Sequence, residues 1–287
     1  MDAQLAKQHT VEPFYFEYTT RDAIMYALSI GCKAKNDLPY LYEGAEGFMP
    51  LPTYVVAPGF QANQILGWPG LDIDFLRMLH GEQYIESFEP LPAEVPTGIM
   101  LITAIYCSSR GRLRSETRVV DVLDKGSGAL IMTEITTYNA SSGKKLAMQQ
   151  ICAFQVGGGK FGGAKSSPHE KKGSDIPKRP ADKIVSEATS EDQAALYRMG
   201  SGDLNLIHID PEKAKMVGFN TPILHGLCTM GFITRHVLNA FANNDARLFK
   251  AIKVRFASPV LPGQTLETHM WDKGDRVVFE TKARFIF

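Results

Sequence analysis

The chain has 287 residues, enough to bury a sizeable core in one large domain or two small ones. Its 44% hydrophobic and 22% charged residues match the composition of an ordinary globular protein. Lys plus Arg equals Asp plus Glu at 31 each, so no global field favours nucleic acid or an anionic membrane. An anionic ligand must therefore be held by a local cluster.

The N-terminal segment, the apolar runs and the cysteines of the sequence indicate the cellular compartment of the protein. No apolar run approaches the ~20 residues that span a bilayer, and the N-terminus lacks the apolar core of a signal peptide. The four cysteines (Cys32, Cys107, Cys152 and Cys228) lie far apart without paired spacing, which fits reduced thiols. We therefore expect a soluble intracellular protein with no membrane segment.

The first half of the chain predicts one short helix followed mainly by strands. Residues 20–31 have a polar start, amphipathic spacing and a glycine stop, which predicts a helix. The Pro- and Gly-rich region 35–70 predicts a loop, and residues 71–79 fit no single element. Antiparallel strands are predicted at residues 82–88, 98–108, 114–123, 129–138 and 145–156.

A glycine-rich and then basic segment, residues 157–181, predicts a linker between an N-terminal half, 1–156, and a C-terminal half, 182–287. A phosphate-binding loop is the alternative for this segment. The Gly-Lys-Ser/Thr ending that such a loop requires is absent, so the linker is preferred.

The second half starts with a predicted helix after Thr189, a polar turn at Asp203 and a short helix from Pro211. A longer helix from about residue 225 to 241 is apolar nearly all round, which predicts that it is buried. Strands are predicted at residues 248–257, 264–272 and 276–287.

The two halves repeat short patterns in the same order. Thr20-Arg-Asp22 resembles Ser190-Glu-Asp192, and Asp124-Lys-Gly126 resembles Asp272-Lys-Gly274. We therefore predict an α+β double hot-dog fold, in which an antiparallel sheet wrapped around a helix occurs twice. The first copy shows no long apolar helix, so its helix should be reduced or missing.

One motif carries candidate chemistry. After the flexible Gly-Ser-Gly turn, Asp203, Asn205 and His208 place an acid, an amide and an imidazole within six positions. A carboxylate and an imidazole are the pair that general acid–base catalysis uses most. Asn205 can both donate and accept a hydrogen bond, which suits it to holding a water molecule.

Structural alternatives exist for each polar residue in this region. Asp210 precedes a proline and a helical run, which predicts a helix N-cap. Asp203 and Asn205 are common turn residues, and His208 lies between two isoleucines, as a core histidine does. A metal site formed by His208, Asp210 and His225 is a further alternative, although no tight zinc-type spacing supports it.

The segment from Asp203 to Pro211, followed by Pro222-Ile-Leu-His225-Gly226, resembles the signature of the MaoC-like, R-specific (type 2) enoyl-CoA hydratases. This family includes the hydratase unit of peroxisomal multifunctional enzymes of β-oxidation. The resemblance covers nearly the whole chain in one order, which makes it far more specific than a single motif. Further matches are the segments 22–28, 42–44, 80–84, 121–128 and 193–197.

The resemblance implies a hydro-lyase that converts trans-2-enoyl-CoA into (3R)-3-hydroxyacyl-CoA in fatty-acid β-oxidation. It also implies that the chain needs no cofactor or metal, forms a homodimer, and has no nucleic-acid or membrane partner. The implied location is the peroxisome, otherwise the cytoplasm. Arg284-Phe-Ile-Phe287 is not the tripeptide read as a peroxisomal address.

The catalytic roles are carried over by resemblance. Asp203 and His208 share acid–base work on one water, Asn205 orients that water, and the Gly226 N–H stabilises the oxyanion. This last role requires the long helix to start near His225. If the helix started at Pro222, the Gly226 N–H would already bond to the carbonyl four residues back.

The resemblance also implies a set of substrate contacts and one supporting glutamate, Glu43. For Lys125 the alternative is a solvated charge, and for Glu43 it is a structural salt bridge. Substrate contacts are implied for His80, Gly81, Lys125, Leu204, Leu206, Ile207 and Phe256.

Two departures from the family pattern stand out. Leu206 occupies a position where the family usually has proline, which predicts a looser active-site turn. Family members also continue through another strand after the position of Thr281, which predicts either an unpaired sheet edge or altered dimerisation. Two rival functions stay open, a hot-dog thioesterase that would release free CoA and an acyl-CoA-binding module that would not turn substrate over.

Overall fold

A computed structural model of the protein describes residues 1–93 and 110–285. The helices are α1 (Ala3–Gln8), α2 (Thr20–Ser29), α3 (Ala34–Asp37), α4 (Val56–Ala62), α5 (Gln193–Ser201), α6 (Pro211–Met216) and α7 (Gly226–Phe241). The strands are β1 (Phe14–Thr19), β2 (Met78–Ser87), β3 (Arg110–Asp124), β4 (Gly128–Asn139), β5 (Lys145–Val156), β6 (Lys183–Ala188), β7 (Ala251–Arg255), β8 (Thr265–Asp272) and β9 (Val277–Arg284).

These strands form two antiparallel sheets. Six strands follow the order β1-β3-β4-β5-β2-β7, and three follow the order β6-β8-β9. The first five strands of the larger sheet come from the N-terminal half, and β7 from the C-terminal half pairs antiparallel with β2. The two halves therefore share a sheet, and this layout agrees with the predicted double hot-dog.

Helix α7 is the centre of the C-terminal half and is buried along most of its length, as its apolar composition predicts. The His236 imidazole and the Thr268 hydroxyl share a hydrogen bond of 3.0 Å, which holds α7 against β8. Among the described residues, no helix combines the length and apolarity that a bilayer crossing requires.

A buried ionic cluster fixes α7 to the N-terminal half. Arg235 donates to Glu187 at 3.1 Å and lies 3.6 Å from Asp37, while Lys33 lies 2.9 Å from Glu187. Burial by itself raises the pKa of Glu187, but the hydrogen bond with His236 and the charge of Arg235 lower it to about 2. The carboxylate therefore stays ionised in the fold.

The structure differs from the predicted secondary structure in the first half of the chain. The predicted loop 35–70 was wrong in part, since it contains α3 and α4. Pro58 lies in the first turn of α4, where a backbone N–H lacks a helical partner in any case, so proline is tolerated. The predicted strand 98–108 lies outside the described residues.

The first copy has α4 in the place that α7 occupies in the second. The Thr117 hydroxyl donates to the carbonyl of Ala62 at 3.0 Å, which places the end of α4 on β3. The Gln149 amide donates to the carbonyl of Val55 at 2.8 Å and anchors the other end. With 7 residues, α4 is a much shorter helix than the 16-residue α7, as expected for a reduced first copy.

Between β5 and β6, where a linker was predicted, the chain contains no helix or strand. This segment is nevertheless attached to the first half, because the Asp124 carboxylate accepts from the N–H groups of Lys160 at 2.8 Å and Gly162 at 2.9 Å. These backbone hydrogen bonds lower the pKa of Asp124.

The contact between α7 and the end of α2 gives a test of the packing. A Cβ on Gly231 would lie 2.5 Å from Cγ2 of Ile30, a side chain that is fully buried. Helix propensity alone predicts that Gly231→Ala stabilises by about 1 kcal/mol. Overpacking against Ile30 predicts the opposite sign, a loss of about 1–3 kcal/mol.

The measurement is the free energy of unfolding in urea. Gly173→Ala is the control, because its Cβ would meet nothing within 4 Å. A Gly231→Ala protein that is as stable as the parent would contradict the close packing of α7 on α2.

Candidate active site

The turn after α5 aims the Asp203 side chain. Helix α5 ends at Gly202, whose φ of 73° lies in the left-handed region that glycine adopts without strain. The Asp203 N–H donates to the Ser201 hydroxyl at 3.2 Å, and the Asp203 carboxylate accepts from the Asn205 N–H at 3.1 Å. The Gly-Ser-Gly turn therefore fixes the carboxylate instead of leaving it free.

A single 3-10 turn, Leu206–His208, follows and presents the imidazole. The Asn205 side chain accepts from the Ile207 N–H at 3.2 Å, so the predicted Asx-type turn is present. The Nδ1 of His208 lies 2.8 Å from the carbonyl oxygen of Ile223. Because a carbonyl only accepts, Nδ1 carries the proton, and the Nε2 lone pair is the basic atom.

The structure brings the predicted acid and base together. A carboxylate oxygen of Asp203 and a ring nitrogen of each of His208 and His225 all lie within 4.8 Å of one another. All three side chains are buried. They border one cavity of about 2410 Å³, whose walls also include Asn205, Gly226, His80 and Phe256.

Burial moves the pKa values of the acid and the base in opposite directions. Loss of solvent raises the pKa of Asp203, although the Asn205 N–H and the charge of His208 oppose the shift. Loss of solvent lowers the pKa of His208, against the hydrogen bond to Ile223 and the charge of Asp203. The two proton affinities therefore approach each other, which suits two groups that exchange protons with one water molecule.

His225 is the residue whose role the sequence did not reveal. Its ring stacks on the His208 ring with centroids 3.7 Å apart and planes 26° apart, and its other side meets Tyr197 at 4.9 Å. Neither of its ring nitrogens has a hydrogen-bond partner in the described part of the chain. Burial and the charge of His208 lower its pKa to about 2, so His225 is a neutral ring supporting His208.

The start of α7 meets the condition set for an oxyanion donor. The helix begins at Gly226 with His225 as its N-cap, and the N–H groups of Cys228 and Thr229 bond to the His225 carbonyl. The Gly226 N–H is therefore one of the first-turn donors without an intrahelical acceptor. A Cβ at Gly226 would lie 2.9 Å from the Phe256 ring. Glycine therefore leaves the narrow space between the Gly226 backbone and this ring open.

Three of the predicted substrate contacts lie together beside this helix end. The His80 and Phe256 rings meet edge-on at 5.1 Å, and the Phe256 N–H donates to the Gly81 carbonyl at 2.9 Å. The pairing of β2 with β5 shifts register between His80 and Glu82, a bulge that displaces His80. Burial lowers the pKa of His80 to about 4, against the hydrogen bond that the His80 Nε2–H donates to the Gln83 side-chain oxygen.

The remaining predicted contacts divide between the cavity and the surface. Leu204 and Ile207 line the cavity, whereas Leu206 is 44% exposed and is not among the lining residues. Lys125 lies in the turn between β3 and β4 and contacts the linker, since its ammonium donates to the Lys165 carbonyl at 2.6 Å and lies 3.5 Å from Glu170. Glu43 is exposed, and the salt bridge that was its structural alternative is not formed with any residue of the described ranges.

The metal alternative does not fit the observed arrangement. Asp210 caps α6 by accepting from the N–H groups of Glu212 and Lys213, so the predicted N-cap is confirmed and Asp210 is not a ligand. His208 and His225 are stacked with nearly parallel planes. An ion bound about 2.0 Å from a ring nitrogen lies close to that ring's plane, and stacked rings with planes 26° apart are poorly aimed at one ion.

Comparisons with known proteins assign the chain to a family. Residues 16–157 match the MFE-2 hydratase 2 N-terminal domain, and residues 172–285 match the MaoC-like domain. The chain is 47% identical over 281 residues to peroxisomal multifunctional enzyme type 2 of Mus musculus, with 96% of this chain and 36% of that protein covered. It is 39% identical to a probable enoyl-CoA hydratase 2 of Dictyostelium discoideum, with 99% of this chain and 92% of that protein covered.

Solved structures agree with these matches. A MaoC-like dehydratase from Phytophthora capsici superposes with a TM-score of 0.83 at 33% identity, covering 98% of this chain and 93% of that one. Full-length peroxisomal multifunctional enzyme type 2 from Drosophila melanogaster gives a TM-score of 0.80 at 40% identity, covering 95% of this chain and 45% of that one. These likenesses confirm the α+β hot-dog fold.

The fold and the site thus define a double hot-dog protein with a buried carboxylate–imidazole pair. The chain belongs to the MaoC-like hydratase 2 family, as the sequence resemblance indicated. It spans 36% and 43% of the lengths of the two multifunctional enzymes that it matches in mouse and fly.

The low pKa of His225 gives a direct test of the stack. Because burial and the neighbouring His208 hold the pKa at about 2, the His225 ring should stay neutral over roughly pH 5 to 8. Histidine ring NMR signals report the charge, and His225→Phe identifies the signal by its loss. A His225 signal that titrates within that range would show that the ring is not buried against His208.

Proposed function

We propose that this chain adds water across the double bond of trans-2-enoyl-CoA, giving (3R)-3-hydroxyacyl-CoA in fatty-acid β-oxidation. The observation that carries the proposal is the convergence of Asp203 and His208 in one cavity beside the unbonded Gly226 N–H. Relatives named enoyl-CoA hydratase 2 and peroxisomal hydratase-dehydrogenase-epimerase support the reaction class. The (3R) outcome rests on the family resemblance.

The first step is the attack of water at C3. The Asp203 carboxylate and the Nε2 lone pair of His208 face the same space, so one water can donate a hydrogen bond to each. One of these groups accepts the water proton as the water oxygen bonds to C3. Asn205 lines the same cavity and supplies an amide that can orient the water.

The electron pair of the double bond moves toward the thioester oxygen as the C3–O bond forms. The Gly226 N–H, at the positive end of α7, stabilises this developing charge. The pair then delivers the proton that it took from the water to C2, and the enolate collapses to the thioester. One water hydrogen stays on the new C3 hydroxyl and one proton is transferred from the water to C2 through the pair, so the pair ends with the number of protons that it had at the start.

The proposal extends to partners and location. These steps need no metal or organic cofactor, since Asp203 and His208 carry the proton and the Gly226 N–H stabilises the developing charge. We propose a homodimer as the working form. At least five relatives are named as peroxisomal proteins, which supports a peroxisomal location for this chain.

Substitutions of Asp203 and His208 distinguish catalytic roles of these two residues from structural roles. Asp203→Asn and His208→Gln should each lower kcat for enoyl-CoA hydration by roughly 10²–10⁴-fold. Asp210→Asn is the matched control, since asparagine still caps α6 and activity should be retained.

Asp203→Asn should also unfold at a temperature no lower than the parent at neutral pH. A carboxyl whose folded pKa is raised costs stability above that pKa, and the amide removes this cost. Retention of most activity in Asp203→Asn or His208→Gln would refute the assignment. Loss of activity in Asp210→Asn would revive the metal alternative.

The pH profile follows from the opposite shifts of the pair. Because burial lowers the pKa of His208 below its ordinary 6.5, the neutral imidazole persists as the pH falls through that value. Activity disappears only when both members of the pair carry protons. The acid limb of kcat/KM should therefore have its midpoint below pH 6.5, and a midpoint above this value would contradict the shift.

A further inference from the structure

A line of buried amides connects α4 to the candidate active site. The Val55 carbonyl, at the N-cap of α4, lies 2.8 Å from the Gln149 side chain, and Gln149 lies 3.1 Å from the Gln83 side chain. Gln83 in turn lies 3.1 Å from Nε2 of His80. Both glutamines are only 1% exposed, so water does not compete for these hydrogen bonds. The four groups form an amide relay that ends at the cavity.

The direction of every hydrogen bond in the amide relay follows from the Val55 carbonyl. A carbonyl only accepts, so the nitrogen of the Gln149 amide must face it and the Gln149 oxygen must face Gln83. That oxygen accepts from the Gln83 nitrogen, which turns the Gln83 oxygen toward His80. The Nε2 of His80 therefore carries the proton, and its Nδ1 carries a lone pair.

The space for the Gln149 amide depends on Gly59 in α4. A Cβ at Gly59 would lie 2.1 Å from the nitrogen of this amide and 2.9 Å from its oxygen. Glycine inside a helix is unfavourable by itself, so a packing reason for it is expected. At this position the reason is that the Gln149 amide passes close to the helix to reach the Val55 carbonyl.

The His80 ring lies close to the proposed oxyanion donor. It meets the Phe256 ring edge-on at 5.1 Å, and a Cβ at Gly226 would lie 2.9 Å from the same Phe256 ring. His80, Phe256 and Gly226 all line the cavity. Because Nε2 is occupied by Gln83, Nδ1 is the ring nitrogen left for a ligand, and a lone pair requires a donor on that ligand.

The proposed substrate carries such a donor near its reacting end. In a CoA thioester, two methylene groups separate the thioester sulfur from an amide N–H. A thioester whose oxygen lies at the Gly226 N–H therefore brings this amide to the part of the cavity that His80 lines. An N–H can share its hydrogen with the Nδ1 lone pair, whereas an ester oxygen in its place cannot.

We propose that Gln83 and Gln149 are positioning residues, which hold His80 in the tautomer with a lone pair on Nδ1. This lone pair accepts a hydrogen bond from the substrate amide next to the thioester. The opposite tautomer would direct a second N–H at that amide and weaken binding of the substrate arm. The substrate contact rests on the proposed function, whereas the tautomer does not.

Nitrogen-15 NMR of the histidine rings tests the tautomer, because a ring nitrogen with a proton and one with a lone pair have well separated shifts. His80→Phe identifies the His80 signals by their loss. The parent protein at neutral pH should carry the proton on Nε2 alone. In Gln149→Met the Gln83 amide loses its acceptor and can turn over, so the proton should be shared between the two ring nitrogens.

Gln150→Met is the matched control. Gln150 is 2% exposed and lies on the same strand, but its amide donates to Glu134 and to the His169 carbonyl, outside the amide relay. The His80 tautomer should be unchanged in this variant.

A second variant disturbs the amide relay without removing a member. The Cβ of Gly59→Ala should displace the Gln149 amide from the Val55 carbonyl, while alanine suits a helix. This protein should show the same shared proton on His80 as Gln149→Met, and it replaces Gln149→Met if that variant does not fold.

Two thioester substrates test the contact itself. One is the crotonyl thioester of N-acetylcysteamine, and the other has an oxygen in place of the amide N–H. In the parent, kcat/KM should be about fivefold higher for the amide substrate, as expected for one hydrogen bond. Gln149→Met and Gly59→Ala should lose this preference, and Gln150→Met should keep it. A merely structural role would lower kcat/KM for both substrates equally.

Three results would overturn the proposal. These are a proton on Nδ1 in the parent, equal use of the two thioesters by the parent, and an amide preference that survives in both Gln149→Met and Gly59→Ala. Loss of the preference in Gln150→Met as well would assign the effect to general loosening of the sheet. Absence of hydration even with crotonyl-CoA, in a protein with the expected tautomer, would refute the proposed function and leave the tautomer assignment intact.

Discussion

The candidate site depends on the residue at which α7 begins. In a helix that started one turn earlier, the Gly226 N–H would bond to the carbonyl four residues back. The site would then have a base and an acid but no oxyanion donor. The position of the helix is set by packing along its length. Gly231 contacts Ile30 closely, and Arg235 bonds to the Ile30 carbonyl at 3.0 Å and to Glu187. Contacts with the N-terminal half therefore fix the position of α7 and of the Gly226 N–H in the candidate site.

Desolvation is the second constraint, and it connects stability with function. Burying a carboxylate and an imidazole in one cavity is unfavourable for both charged forms, yet the same burial brings their proton affinities together. His225 extends this environment, because its neutral ring covers one face of His208 without adding a competing charge. Desolvation of Asp203 and His208 is thus locally unfavourable for folding, at the residues that the proposed reaction uses.

Local patterns predicted much of the structure. Helix α2 follows from a capping box formed by Thr19 and Asp22, and α6 follows from its Asp210 cap. Long-range contacts were not predictable in this way. The stack of His225 on His208 joins residues from separate segments, and α4 forms in a Pro- and Gly-rich region because the first sheet packs around it. Resemblance to a family placed Lys125 among the substrate contacts; its ammonium donates to the Lys165 carbonyl, and the substrate contact stays a prediction.

Hydration of a short trans-2-enoyl-CoA in D₂O, followed by chiral separation and mass analysis of the product, tests the central claim most directly. The account predicts the (3R)-3-hydroxyacyl thioester with one solvent deuterium at C2 and no release of free CoA thiol. Thiol release would identify a thioesterase, and tight binding without any product would identify a binding module. Either of these results, or a (3S) alcohol, would contradict the account.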